Sequence, residues 1–418
     1  MTEPLLPPKR KDPLARTAPP LVPPAAQSRR AHEFTAAAAE GRFALQRCAG
    51  CGTFLWPARD ACPECLSADL PMTQARPRGT ILSRTTAEVP ADPYFRAHAP
   101  WHLGLVRLAD GPTALAHLHG DCPEAGEVRL SLQLDRAGRA VLFARPIEDT
   151  PHMTDDPEWR EMTAQPKHRR ILITDARHPV ALPLARALLA LGAAEVFAGV
   201  PEDWKPLATR GALEAAGVRL LPLDVTDERS VADLAADLAS KVEILVNTAD
   251  FVRPGGLLAP AALNHARDAM ERLCFGLMRL SRTFGPAMAG RGGDGVRSAV
   301  AWVNLFSIAG EVADPGFAAY SAAQAAAVSV SHALRAELAA GGVRMINIFA
   351  GPLEGEWFEA FPPPKVAPKA LATAVTDALL RGLEEVHVGD VAKDLAARRA
   401  ANPKAVERDM AHRHGGRG

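Results

Sequence analysis

The sequence predicts a multidomain protein in which a helix, a small metal-binding ribbon and a small β-barrel precede a larger α/β domain. Two Cys-x-x-Cys pairs lie within the first 70 residues. Between residues 79 and 146, short β-type runs are separated by Gly, Asp and Pro, a spacing typical of small barrels. From residue 170 onward, apolar strands alternate with Ala- and Leu-rich helices, which indicates a doubly wound parallel sheet of Rossmann-like type.

The composition excludes several classes of function. Lys plus Arg is 48 and Asp plus Glu is 48, so the formal charge is zero and no long-range field attracts nucleic acid or an anionic membrane. The N-terminus lacks the apolar core of a signal peptide, and no apolar run reaches membrane-spanning length. We therefore expect a cytoplasmic protein with neither nucleic acid nor membrane as a partner. In a reducing compartment, clustered cysteines are metal ligands more often than disulfides.

The 418 residues exceed what a single hydrophobic core supports, so several domains are expected. Residues 1–30 are Pro-rich without periodicity and predict a disordered tail. Residues 31–75 predict the helix and ribbon, and residues 76–148 predict the barrel. Residues 149–168 combine charges with turn formers and predict a linker. The α/β domain then covers residues 169–390, followed by a basic tail over residues 391–418.

The four clustered cysteines predict a structural zinc site. Cys48 and Cys51 form one pair, Cys62 and Cys65 form the other, and ten residues separate the two pairs. Two tight turns at this spacing present four thiolates tetrahedrally, and four sulfur ligands leave no open position for catalysis. The alternative is a set of free or redox-active cysteines.

Residues 31–147 resemble the DUF35 family, through the two cysteine pairs and the Trp56-Pro57 step between them. That resemblance implies a rubredoxin-like zinc ribbon followed by an OB-fold. It also implies a non-catalytic partner of thiolase-superfamily enzymes that helps to hold acyl-CoA. An OB-fold can instead bind single-stranded nucleic acid, but this segment has few paired aromatic and basic positions.

Residues 170–390 resemble the short-chain dehydrogenase/reductase family. Ser307 lies thirteen residues before Tyr320, which is the family's spacing between the serine that polarises the carbonyl and the tyrosine that transfers the proton. The resemblance also implies cofactor-binding roles for a set of positions at strand ends: Asp224, Asn247, Ala249 and Gly351.

The departures from the family pattern fall on functional positions. The family's Thr-Gly-x-x-x-Gly-x-Gly reads Thr-Asp-Ala-Arg-His-Pro-Val-Ala over residues 174–181, without any of the three glycines. Asp175 brings a carboxylate towards the pyrophosphate position, and Pro179 removes a backbone N–H. We therefore do not expect NAD(P) to be a cofactor.

The catalytic motif is altered as well. Gln324 replaces the family's lysine, whose positive charge lowers the pKa of the tyrosine, and Leu273 stands where the family has a relay asparagine. These changes predict a degenerate reductase domain, a pseudoenzyme. An active reductase that contacts the phosphates through Arg177 and His178 is the alternative.

Two functions follow. The first is a non-catalytic acyl-CoA-binding and assembly subunit of a thiolase-superfamily complex, that is, one built around a thiolase, an aldolase or an acyltransferase. Its reductase-like domain would supply homodimer contacts within a hetero-oligomer, through the Ala-rich run that contains Tyr320. The second is an NAD(P)-dependent 3-oxoacyl or 3-hydroxyacyl thioester oxidoreductase with an appended zinc-ribbon and OB domain.

Overall fold

The computed structural model describes residues 1–9, 18–201, 205–355, 358–359 and 364–415. Its contacts divide the chain into two compact units. The first, here called the ribbon–barrel unit, is built mainly from residues 21–165. The second, the sheet unit, is built mainly from residues 166–378 and 385–415. None of the helices in these described ranges is both long and apolar enough to cross a membrane.

The ribbon–barrel unit contains a three-stranded antiparallel sheet, in the order β2-β1-β3, and a closed five-stranded barrel, in the order β4-β5-β6-β8-β7. Its strands are β1 (Ala44–Arg47), β2 (Phe54–Leu55), β3 (Met72–Gln74), β4 (Arg78–Ala87), β5 (Trp101–Leu108), β6 (Thr113–Leu118), β7 (Gly126–Leu134) and β8 (Ala140–Pro146). Its helices are α1 (Ala31–Ala39), α2 (Pro93–Ala97) and α3 (Pro157–Glu161). The ribbon and the barrel predicted from the sequence are confirmed.

Alternation along the strands fills the barrel. In β6, Ala114, Ala116 and Leu118 are buried, whereas the residues between them face outward. Gly79 allows β4 to approach β5 closely, because a Cβ atom there would lie 2.7 Å from Val106 Cγ1. The barrel is closed by the parallel pair β6 and β8, while its other pairs are antiparallel.

The segment predicted as a linker, residues 149–168, contains a 3-10 turn (Met153–Asp155) and helix α3. Trp159 packs on Phe143 with ring centroids 5.1 Å apart, and the Arg145 guanidinium lies 4.4 Å from the Trp159 ring. Within the predicted N-terminal tail, residues 10–17 lie outside the described residues, and the Leu5 amide donates to Asp155 Oδ2 at 3.0 Å.

The sheet unit is a seven-stranded parallel sheet in the order β11-β10-β9-β12-β13-β14-β15. Its strands are β9 (Arg170–Ile173), β10 (Glu195–Val200), β11 (Arg219–Pro222), β12 (Ile244–Asn247), β13 (Ala301–Ser307), β14 (Arg344–Ala350) and β15 (Glu385–Val388). The strand order reverses between β9 and β12, which is where doubly wound folds bind ligands at the carboxyl ends of their strands. The predicted Rossmann-like sheet is confirmed.

Helices connect the successive strands of this sheet, as in other doubly wound folds. They are α4 (Ala181–Ala190), α5 (Arg210–Ala215), α6 (Glu228–Leu238), α7 (Ala262–Ala269), α8 (Gly276–Ala289), α9 (Ala318–Ala339), α10 (Pro368–Arg381), α11 (Asp390–Ala401) and α12 (Pro403–Gly415). The last two cover most of the region predicted as a basic tail, of which residues 416–418 lie outside the described residues.

A buried polar network joins the carboxyl halves of four strands. Asn247, Asn304 and Asn347 occupy paired positions on β12, β13 and β14. Thr174, after β9, donates to Asn247 Oδ1 at 3.1 Å, and Asn304 Nδ2 donates to Asn347 Oδ1 at 3.2 Å. Ser331 of α9 donates to the same Asn347 oxygen at 2.7 Å. These bonds fix the strand ends from which the site loops depart.

Candidate functional site

The four predicted zinc ligands lie together in the ribbon. The Sγ atoms of Cys48, Cys51, Cys62 and Cys65 all lie within 4.8 Å of one another. Cys48 Sγ is 3.4 Å from Cys65 Sγ, and Cys51 Sγ is 3.5 Å from Cys62 Sγ. Four thiolates around one zinc ion stand about 3.8 Å apart, as Zn–S bonds of about 2.3 Å in a tetrahedron require. The donor set and its spacing fit a closed structural zinc site.

Two equivalent turns place these thiolates. The Gly52 amide donates to the Cys48 carbonyl at 2.8 Å, and the Leu66 amide donates to the Cys62 carbonyl at 2.9 Å. Both turns end in the left-handed region, at φ values of 78° for Gly52 and 62° for Leu66. A leucine in this region is strained, so the surrounding structure, which includes the cysteine cluster, must hold the second turn in this conformation. Cys274 is buried and belongs to the sheet unit.

The second candidate site lies at the carboxyl edge of the parallel sheet. Ser307 ends β13, and Tyr320 is in the first turn of α9. Ser307, Gln324 and Asp250 have side chains close enough to the Tyr320 hydroxyl to shift its pKa. Gln324 is buried, and its Oε1 accepts a hydrogen bond from the Ser307 amide at 3.3 Å. The structure therefore brings the predicted serine and tyrosine together, with Gln324 directed at the backbone of Ser307.

Asp250 is a site residue that the sequence reasoning did not single out. Its burial and the nearby Asp175 carboxylate raise the pKa of Asp250 to about 6. Burial and the negative charge of Asp250 in turn hold the pKa of Tyr320 well above 10. The sequence did offer a signal. Residues 247–250 read Asn-Thr-Ala-Asp where the family has Asn-Asn-Ala-Gly, so Asp250 replaces a glycine. An acid at this position raises the pKa of the tyrosine, whereas a lysine lowers it.

The loop between β9 and α4 is closed by its own side chains. Asp175 Oδ1 accepts the Arg177 amide at 2.9 Å, and Asp175 Oδ2 lies 3.0 Å from Arg177 Nη2. His178 Nδ1 accepts the Val180 amide at 3.1 Å. Burial lowers the pKa of His178 to about 4, so the ring is neutral at pH 7. In the family pattern, N–H groups of this loop and helix start are the ones that cradle a pyrophosphate.

The other family positions have local partners. The Asp224 carboxylate accepts both the amide and the hydroxyl of Thr226, at 2.9 and 2.7 Å. Asn247 Oδ1 accepts the Ala249 amide at 3.3 Å. Leu273 is buried within a π-helical turn (Met270–Phe275) between α7 and α8, where it offers no donor for a proton relay.

Two cavities open at this edge. A small one of about 20 Å³ is lined by residues that include His178, Asp250, Ser307, Tyr320 and Gly351. That volume is about the space that one water molecule needs. A larger cleft of about 560 Å³ adjoins it and shares His178 and Asp250 with it.

The comparisons with known proteins agree with this geometry. A family model described as enoyl-(acyl carrier protein) reductase matches residues 176–401, which is more than half of the chain. The chain belongs to the short-chain dehydrogenase/reductase family. A short-chain dehydrogenase from Burkholderia cenocepacia, solved in complex with NADP, is 32% identical with a TM-score of 0.51. The match covers 59% of this chain and 98% of that one.

The N-terminal half also matches known domains. The ribbon corresponds to the ChsH2 rubredoxin-like zinc ribbon domain over residues 35–71, and the barrel corresponds to the ChsH2 C-terminal OB-fold domain over residues 73–134. The predicted combination of a DUF35-type zinc ribbon and OB-fold with a short-chain dehydrogenase/reductase domain is confirmed.

Curated relatives match over shorter stretches. A probable enoyl-CoA hydratase alpha subunit from Thermomonospora curvata is 33% identical over 99 residues, which are 24% of this chain and 30% of that protein. The short-chain dehydrogenase virD from Hypocrea virens is 32% identical over 147 residues, which are 33% of this chain and 47% of that protein. The chain thus spans less than half the length of these two relatives.

Replacing one ribbon thiolate tests the metal site. We expect Cys48→Ser to lose the one zinc ion per chain that the wild-type protein retains, because three thiolates no longer close the tetrahedron. Elemental analysis of protein purified without chelator measures the stoichiometry. Cys274→Ser is the matched control and should retain one zinc ion. Full zinc occupancy in Cys48→Ser would contradict the assignment.

The raised pKa of Asp250 predicts a pH-dependent stability. Because the pKa is about 6 in the folded state against 3.8 for an ordinary aspartate, the folded state loses stability as the pH rises from about 4 to about 6. We expect Asp250→Asn to raise the free energy of unfolding by about 1 to 2 kcal/mol at pH 8, with allowance for partial solvent exposure. The gain should vanish near pH 4. Urea denaturation at both pH values measures it.

Asp233→Asn is the control for this experiment, because Asp233 is an exposed carboxylate on helix α6. It should change the stability by less than about 0.5 kcal/mol at either pH. Equal effects of the two substitutions, or a gain from Asp250→Asn that grows towards pH 4, would exclude the raised pKa.

Proposed function

We propose that this protein is a non-catalytic acyl-CoA-binding and assembly subunit of a cytoplasmic thiolase-superfamily complex. Its reductase domain acts as a scaffold that no longer transfers hydride. The observation that carries the proposal is that the protein's own side chains occupy the pyrophosphate loop and lie beside the catalytic tyrosine of the nicotinamide dinucleotide site. Asp175 and His178 accept amides of the pyrophosphate loop, and Asp250 adjoins Tyr320.

The electrostatics argue against reductase chemistry. A tyrosine that donates and accepts protons at neutral pH needs a pKa brought down towards 7, which a nearby cation provides. Here Gln324 supplies no charge, and Asp250 raises the pKa of Tyr320 further. The phenol is therefore held neutral and cannot accept a proton from an alcohol substrate at physiological pH.

The ribbon and barrel support the role in acyl-CoA metabolism. Both match ChsH2 domains, and one relative is described as an enoyl-CoA hydratase alpha subunit. The outer surface of the barrel carries a leucine pair, because Leu105 and Leu115 stand opposite each other on β5 and β6. Their exposed fractions are 42% and 60%. An exposed apolar pair on a strand face suits contact with a protein partner or an acyl chain.

The sheet unit also carries apolar surface suited to self-association. Leu263, Phe275 and Met278, along α7 and α8, are 70%, 45% and 49% exposed. A groove of about 580 Å³ lies between α8 and α9 and is lined largely by small and apolar side chains. These features support a homodimer through the reductase domain within the larger complex.

The second candidate is an NAD(P)-dependent oxidoreductase acting on a 3-oxoacyl or 3-hydroxyacyl thioester. It is favoured by the retained contact between Ser307 and Tyr320, and by the NADP complex of the Burkholderia cenocepacia relative. It requires the loop over residues 174–181 and the cavity at Asp250 to open when cofactor binds.

Nicotinamide binding separates the two functions. We expect the wild-type protein to show no binding of NADH or NADPH up to millimolar concentration, as measured by nicotinamide fluorescence. Restoring glycines with Asp175→Gly and Pro179→Gly should tighten binding at least tenfold, since each returns a donor that is worth about 1.5 to 3 kcal/mol towards a charged group. Arg219→Gln, on the far strand β11, is the control. Micromolar binding by the wild-type protein, with turnover of a 3-oxoacyl thioester, would favour the oxidoreductase.

The assembly role predicts a stable complex. Co-expression with a thiolase-superfamily protein encoded beside this gene should give a complex that co-elutes in size-exclusion chromatography. Leu115→Glu should weaken it at least tenfold, because it places a charge in the apolar pair on the barrel. Leu258→Glu, at a fully exposed position of the sheet unit, is the matched control. A partner that is fully active alone and never co-elutes would contradict the proposal.

A further inference from the structure

The large cleft of the sheet unit is wide at one end and narrow at the other. It shares His178, Asp250, Leu353 and Phe358 with the small cavity that contains the Tyr320 hydroxyl. The cleft measures about 560 Å³, whereas the small cavity measures about 20 Å³. A nucleotide of ordinary size can enter the wide end, but the second ring system of a dinucleotide has no space beyond Asp250.

The lining of the wide end is cationic. Four cations line the cleft, against the three carboxylates of Asp175, Asp250 and Glu354: Arg177, Lys205, Arg253 and Arg272. Asp175 is engaged with Arg177, at 3.0 Å from its guanidinium. Since burial raises the pKa of Asp250 to about 6, part of its population is also neutral near pH 6. With four cations against three carboxylates, the lining of the cleft carries a net positive charge, which favours an anionic ligand.

Two of these cations are held by one aromatic ring. The Arg253 and Arg272 guanidinium carbons lie 4.5 and 5.9 Å from the centroid of Phe251. Arg253 Nη1 also donates to the Val252 carbonyl at 2.7 Å. Stacking on an aromatic face restrains a guanidinium, and its planar set of donors matches phosphate oxygens. The cations that line the cleft are thus partly preorganised for phosphate, on side chains that follow β12 and precede α8.

The family's own phosphate site is not the one used here. Asp175 and His178 already accept the loop amides that would cradle a pyrophosphate. With that loop occupied and Arg177 paired with Asp175, the stacked pair Arg253 and Arg272 is the preorganised partner for a phosphate in this cleft.

We propose that this cleft binds the 3′-phosphoadenosine diphosphate portion of coenzyme A, with Arg253 and Arg272 as its phosphate ligands. The inference rests on the proposed acyl-CoA-binding function and assigns the nucleotide end of that ligand to the reductase domain. Coenzyme A carries a single nucleotide with three phosphates and no nicotinamide ring, which matches a cleft that is wide and cationic at one end and narrow at the other.

Calorimetric titration of the full-length protein with coenzyme A and with adenosine 3′,5′-bisphosphate tests the assignment. We expect both to bind, and dephospho-coenzyme A to bind at least tenfold more weakly because it lacks the 3′-phosphate. Arg253→Gln and Arg272→Gln should each weaken binding of coenzyme A about tenfold, and binding should fall steeply with salt. Arg229→Gln, on the exposed face of α6, is the matched control and should leave the affinity unchanged.

The outcomes that overturn the inference are distinct from those that overturn the proposed function. Coenzyme A binding that neither arginine substitution changes, or equal binding of dephospho-coenzyme A, excludes this cleft as the nucleotide site and leaves the acyl-CoA role intact. NADPH binding with the affinity of coenzyme A, lost in the same variants, identifies a dinucleotide site and favours the oxidoreductase. Absence of any coenzyme A binding overturns both proposals. Salt dependence and competition by the bisphosphate are measured on the wild-type protein, so they hold whether or not the variants fold.

Discussion

The hydrogen bonds among Thr174, Asn247, Asn304 and Asn347 are the constraint on which the sheet unit depends. Asn304 and Asn347 are fully buried, so each amide left without a partner would cost about 1 to 3 kcal/mol. These hydrogen bonds form only when β9, β12, β13 and β14 pair in one register, and that register sets where each strand ends. The loops that carry Asp250 and the other site residues all leave from this edge. The backbone framework of a reductase site is therefore retained whether or not the protein transfers hydride.

The residues that depart from the family pattern at this edge have opposite effects on the stability of the folded state. Asp175 and His178 satisfy backbone donors that an empty phosphate loop would leave exposed, so they stabilise the protein without a cofactor. Asp250 does the reverse, because a carboxylate with a pKa raised to about 6 lowers the stability of the folded state at neutral pH. Destabilising polar groups that persist in a cleft are a mark of binding or catalytic sites. The loop amides are satisfied by the protein's own side chains, whereas the cleft retains a destabilising carboxylate. For this reason we place the ligand in the cleft.

The parts that the sequence predicted are those that depend on local spacing. The cysteine pairs predict the zinc ribbon because a Cys-x-x-Cys turn is a short-range geometry, and the missing glycines of the β9–α4 loop are visible by inspection. The contact of Asp250 with Tyr320 joins two strand-end loops and is set by the sheet register, which no local pattern encodes. Residues 149–168 were predicted as a linker from their charges. In the structure Glu158 is buried, and its Oε1 lies 2.8 Å from His102 Nδ1, so polarity alone did not reveal the pairing.

The chemistry of a reductase site depends on the sign of one charge near the tyrosine. A lysine lowers the pKa of the phenol and also contacts the nicotinamide ribose in this family, so its loss removes both effects together. Gln324 retains a hydrogen bond to the strand end but no charge, while Asp250 adds the opposite charge from the other side. The guanidinium groups of Arg253 and Arg272 lie against the ring of Phe251. Cationic side chains line the cleft, and the adjoining cavity contains a phenol whose pKa is raised, so the charge distribution that opposes proton transfer to Tyr320 also favours a bound anion.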